Sequence, residues 1–140
     1  MNGIREFDEA VRVAAEWFEA FVARLGWHDR ERAYRALRAA AHALRDCLPV
    51  DEVAALGTQL PTLLRGEYYE GWRPTGRAFR IRTREAFLER IREGVHRDPA
   101  VDAEQVARAL LALLAARLPP AEIEDAKAVT PAELRGLWPD

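Results

Sequence analysis

The chain has 140 residues, 49% hydrophobic and 31% charged, with a formal net charge of −2. That length supports one domain whose core buries roughly two-thirds of the unfolded surface, and the near-neutral balance supplies no overall field to draw in nucleic acid or an anionic membrane. The longest apolar run, Ala109 to Ala116, is far short of a bilayer span, and the single cysteine, Cys47, excludes an intramolecular disulfide, so the expectation is a cytoplasmic protein with no membrane attachment.

In chain order, Phe7, Val11, Ala14, Phe18, Phe21 and Leu25 recur at spacings of four and three, which predicts a helix with these residues, widened by Trp17, on its buried face. Gly26 follows the last apolar position and is the expected stop, since a left-handed residue there costs least without a Cβ. Asp29 is the expected N-cap of a second helix. In it Leu37, Ala40, Ala41, Leu44 and Leu48 share one face, and Arg35, Arg38, His42 and Arg45 share the other, which predicts a solvated His42.

Pro49 and Pro61 each read as the start of a short helix, because a proline in the first turn gives up no hydrogen bond. The first of these helices is expected to reach about Gly57 and the second to be interrupted near Gly66. The stretch "RGEYYEGWRP" then places Tyr68, Tyr69 and Trp72 between glycines. Trp72 is expected as a plug at a junction, and the tyrosines to split, one buried and one at the surface beside Arg65 or Arg73, since neighbours on a helix point about 100° apart. Beyond them Thr83 reads as an N-cap, Asp102 with Gln105 as a capping box, and Thr130-Pro131-Ala132-Glu133 as another helix start.

The sequence also matches itself at an offset of 70. Leu48-Pro49 pairs with Leu118-Pro119, Pro61 with Pro131, Leu64-Arg65-Gly66 with Leu134-Arg135-Gly136, and Glu52 with Glu122, all without a gap. With no period-two alternation anywhere, the fold class is all-α: two tandem pseudo-repeats of about four helices, 7–70 and 83–140, joined by an arginine-rich linker, 71–82, in one domain. Ala40-Ala41 opposite Leu110-Leu111 predicts that the two long helices carrying them cross closely at the centre.

Signatures of catalysis are missing. The chain has no serine, and Cys47 lies five residues from His42, about 140° around the helix, so no thiol–imidazole pair forms. Glu93 and His96 have the Glu-x-x-His spacing of di-iron bundles without the second pair and further glutamates such sites require. No phosphate-binding loop is present. No cofactor or metal is expected, and the chain reads as non-enzymatic; the alternative of a small-molecule-binding or enzymatic domain would require an enclosed polar pocket with converging ionisable groups. Two surfaces remain as candidates. Arg65, Tyr68, Tyr69, Trp72 and Arg73 form an interaction or structural motif, pointing to an unknown protein partner or self-association. Arg77, Arg80, Arg82 and Arg84 form a basic patch, within eight arginines between residues 71 and 97, whose alternative is single-stranded nucleic acid.

The series Leu44-Arg45-Asp46, Leu48-Pro49, Gln59-Leu60-Pro61, Leu64-Arg65-Gly66 and Tyr68-Tyr69-Glu70-Gly71-Trp72 resembles the bacterial family catalogued as domain of unknown function 2267. The closing "TPAELRGLW" resembles that family's final Leu-Pro-x-x-Leu-Arg-x-Leu-Trp, with Thr130 in place of a leucine, a change expected to weaken burial at that corner. The resemblance implies a helical bacterial domain. It implies no activity and no catalytic residues.

Overall fold

The computed structural model describes residues 3–74 and 81–140. In order it runs α1 (Arg5–Leu25), α2 (Arg30–Asp46), α3 (Val50–Thr58), α4 (Thr62–Tyr69), α5 (Arg84–Gly94), α6 (Ala103–Arg117), α7 (Pro120–Val129) and a 3-10 helix (Ala132–Leu137). No strand occurs among the described residues, so the fold is all-α.

Local chemistry sets most boundaries. Gly26 takes φ 72° and its N–H caps Val22 O, ending α1. Asp29 accepts from Arg32 N at 3.0 Å, and Thr83 Oγ1 accepts from Ala86 N at 3.1 Å, starting α2 and α5. Asp102 caps α6 through the amides of Glu104 and Gln105, but Gln105 does not reach back to close a box: its amide donates to Leu25 O, 3.1 Å away at the end of α1. Glu133 behaves similarly. Its carboxylate accepts from Arg84 N at 3.0 Å, placing negative charge on the N-terminus of α5 instead of on its own helix. Pro49 and Pro61 stand just before their helices, in the N-cap position. Gly66 does not interrupt α4, which runs through it: a helical glycine costs only about 1 kcal/mol, and the packed ends of α4 outweigh that.

α1 lies on α6 and α2 on α5, so the long helices of each half pack on those of the other. α2 also meets α6, and α3 meets α7. α2 packs on α6 as expected, and it also makes a close approach to α5. A Cβ at Gly94 would stand 2.5 Å from that of Ala39, so two small residues let these backbones approach. α7 and the 3-10 helix begin 70 residues after α3 and α4, and residues equivalent at that offset are buried together: Phe21 with Ile91, Leu44 with Leu114, Leu48 with Leu118, Val53 with Ile123. A duplicated unit would require the two halves to superpose, which these matched boundaries and burials do not themselves establish.

The halves differ at one end. α5 corresponds to residues 14–24 of α1, so α1 overruns its counterpart by nine residues. In that overhang Phe7 and Val11, expected on a buried face, are 59% and 46% exposed. Helical period specifies which residues share a face; whether anything covers that face depends on the rest of the chain.

Candidate functional site

The Leu-Arg-Asp and Tyr-Tyr-Glu-Gly-Trp elements are brought together where the C-terminal turn of α2 meets that of α4. A helix end leaves its last carbonyls without intrahelical donors, and α2 supplies them. Arg45 NH1 donates to Tyr68 O (3.0 Å) and Glu70 O (2.7 Å). His42 Nε2 donates to Glu67 O at 2.7 Å. Both side chains, expected on a solvated face, are therefore buried, at 4% and 7% exposure. Burial lowers the pKa of His42, which holds it neutral, and the carbonyl hydrogen bond opposes this only in part. The buried guanidinium is neutralised by Asp46, whose Oδ1 accepts from Arg45 Nε at 2.8 Å while its Oδ2 accepts from Arg90 of α5 at 3.2 Å.

Arg65 performs the same task one corner earlier. Its Nε donates to Gly57 O (2.9 Å) and its NH2 to Leu60 O (2.8 Å), at the end of α3. Seventy residues on, Arg135 Nε donates to Thr130 O (2.9 Å) and its NH2 to Ala128 O (3.3 Å), at the end of α7. The aromatic triplet forms a ladder from core to surface. Tyr68 is 2% exposed and donates to Val53 O at 2.9 Å. Its ring meets Tyr69 edge-on at 5.0 Å, and Tyr69 meets Trp72 at 5.4 Å. Tyr69 and Trp72 are half-buried, and Tyr69 occupies the space that a side chain at Gly57 would need. Trp72 therefore covers the ladder's outer end and is not a fully buried plug; Arg73 is exposed beside it. Thr130 is buried, with its hydroxyl donating to Ala126 O (2.7 Å) and accepting from Trp138 Nε1 (3.1 Å). Burial at that corner is kept because both polar groups are satisfied.

Of the proposed basic patch, Arg77 and Arg80 lie outside the described residues, Arg82 is exposed, and Arg84 NH2 pairs with Glu104 at 2.7 Å. Further along, Arg90 is held by Asp46, Arg92 by Glu85 at 2.9 Å, and Arg97 by Glu89. Of the six arginines described between residues 71 and 97, four are thus engaged by carboxylates, which reduces the charge available to phosphates. Glu93 and His96 are both exposed, and among the described residues no three His, Cys, Asp or Glu side chains are grouped to hold a metal. Cys47 is buried, and desolvation pushes its thiol up to about 12, leaving it without thiolate character. No helix among the described residues is long and apolar enough to cross a membrane.

One polar pair escaped the sequence reading. Glu52 of α3 and Glu122 of α7 face each other, each with its Oε2 shielded from solvent. No donor among the described residues reaches either atom, so the pair is satisfied when one carboxyl lends its proton to the other. Burial first, then the hydrogen bond and charge of Glu122 and the charge of Asp125, push the Glu52 carboxyl up to about 7. The two glutamates stand at the sequence offset of 70, in helices that pack on each other. An unfolded glutamate titrates near 4.3; the folded value is higher, so the stabilising contribution is complete below about pH 4 and is lost as pH rises through about 7. Glu52→Gln should match the parent in urea unfolding at pH 4 and exceed it at pH 8, by about 1 kcal/mol or less because the pair is partly solvated. A difference that is the same at both pH values would contradict the shared proton.

No curated protein matches the chain. The model of the family described as "Uncharacterized conserved protein (DUF2267)" matches residues 14–137. Its span takes in both arginine-capped corners, the Arg45–Asp46 anchor and the aromatic ladder, and leaves out the overhang that bears Phe7 and Val11. With nearly the whole helical unit matched, this chain belongs to the DUF2267 family.

Proposed function

We propose that this protein is a non-enzymatic helical module that acts by holding another protein, or a second copy of itself, against the apolar stripe on the first half of α1. The observation that supports the reading is the exposure of Phe7 and Val11, one helical turn apart, with Leu63 of α4 45% exposed on the neighbouring wall. Large apolar side chains exposed in a contiguous stripe mark contact surfaces more often than scattered ones do. The signature residues are committed to holding the fold: Arg45, Arg65 and Tyr68 satisfy backbone carbonyls, and Arg45 and Tyr68 are buried in doing so. The arginines of α5 are matched by acids. Contact chemistry is therefore concentrated on the overhang.

The test is site-specific photocrosslinking in the native cell. A benzophenone amino acid at Phe7 or Val11 should yield discrete protein adducts, and the same group at Ala54, an exposed position on α3, should yield none. Adducts of the chain with itself would identify self-association. Equal labelling from all three positions, or none from any, would remove the stripe as a docking surface.

A further inference from the structure

α1, α2 and α4 surround a cavity of about 380 Å³ floored by leucines of α6. It falls within the size range of small-molecule sites and exceeds the ~150 Å³ of an apolar cavity able to hold benzene. Its walls are apolar, and polar groups meet only at one rim. There Tyr34 donates to Glu67 Oε2 (2.8 Å), and Arg38 donates through Nε to Glu67 Oε1 (3.2 Å) and through NH2 to Glu70 Oε1 (2.7 Å).

The other half treats the equivalent place differently. At the offset of 70, Ala41 becomes Leu111, whose side chain is buried in the core. Ala14, Tyr34 and Leu63 become Arg84, Glu104 and Glu133. Those three seal the gap: Arg84 NH2 pairs with Glu104 at 2.7 Å, and Arg84 N donates to Glu133 at 3.0 Å. One half is thus filled and closed by charge, while the other keeps a small floor residue and an apolar mouth. The rim also has a sign. Two carboxylates face one guanidinium, so an anionic head would compete with Glu67 and Glu70 for Arg38, whereas a cation would gain from both acids and from the Tyr34 ring beside them.

We propose that this cavity binds a small amphiphile with a compact apolar body and a single cationic head, an amine or ammonium seated at Glu67. The proposal is independent of protein docking at Phe7 and Val11, because it is measured on purified protein with no partner present. Calorimetric titration of the full chain with n-octylammonium, 1-octanol and octanoate tests it. Octylammonium should bind at least ten times more tightly than octanoate, with 1-octanol between. Ala41→Leu, which copies the closed half, should abolish binding while unfolding stays cooperative, and Glu67→Gln should erase the preference for octylammonium over 1-octanol. Should Ala41→Leu fail to fold, amide shifts in the parent protein decide: changes confined to α1, α2, α4 and the facing turn of α6 support the site, and changes elsewhere overturn it. Absence of binding by all three probes, octanoate bound as tightly as octylammonium, or unchanged affinity in a folded Ala41→Leu protein would each overturn it.

Discussion

Tyr68→Ala should destabilise the protein by about 3–5 kcal/mol, the range for removing a large buried aromatic, measured by urea unfolding at neutral pH. Tyr68 is the largest fully buried side chain, and it supports Tyr69 and, through it, Trp72. Set against a typical total of about 5–15 kcal/mol, the loss would bring the chain close to unfolding at 37 °C. Tyr68→Phe separates the two parts of the effect. It keeps the ring and removes the hydroxyl's bond to the Val53 carbonyl, which retains its place in the hydrogen-bond ladder of α3, so it should cost about 0.5–1.5 kcal/mol. Trp72→Ala should cost less than Tyr68→Ala, because the half-buried indole is the ladder's outer rung. A Trp72 variant as damaged as Tyr68→Ala would mean that the ladder is anchored from its outer end.

Arg45→Ala should cost a similar 3–5 kcal/mol, the range for removing one member of a buried charged pair. The substitution leaves the carbonyls of Tyr68 and Glu70 without their donor and leaves Asp46 with Arg90 as its remaining partner. The comparison with Asp46→Asn is informative. That change keeps the cation and both carbonyl bonds, so it should be milder alone, and the double variant should fall well short of the sum of the singles because both act through one network. Additive losses would show that Arg45 works through its carbonyl bonds without reference to Asp46.

Local chemistry was legible in the sequence, and long-range burial was not. Gly26, Asp29 and Thr83 stop or start helices because their effects are confined to one turn, and each does so in the structure. The all-helical class followed from periodicity on the same local scale. His42 and Arg45 were misplaced for the converse reason. Helical periodicity put them with the exposed arginines, and the carbonyls that draw them inward belong to residues 23 to 25 positions away. Phe7 and Val11 failed in the other direction, apolar and in phase yet without a helix opposite. For the candidate site, Tyr68, Tyr69 and Trp72 lie together in the structure, but spacing could not separate a capping arginine from a recognising one. That distinction lies in which acceptor the guanidinium faces, as Arg65 and Arg135 illustrate. The cavity rim was invisible for a related reason, because Tyr34, Arg38 and Glu67 meet only when α4 folds back along α2.

The exchange of partners between halves, α1 on α6 and α2 on α5, bears on how the chain is made. The first two helices leave the ribosome before the surfaces that cover them have been synthesised. At about 5–20 residues per second, the chain from the end of α2 to the end of α5 takes roughly 2–10 s to add, and that from the end of α1 to the end of α6 roughly 5–18 s. Throughout that interval the faces of α1 and α2 that α5 and α6 will cover have only the other helices of the first half, or a chaperone, to shield them. Two nascent chains on one message meet the same requirement, and each can satisfy it with the other's second half. Exchange of halves between neighbouring chains is therefore the assembly error this topology leads one to expect, and slower synthesis of residues 84–117 should increase it.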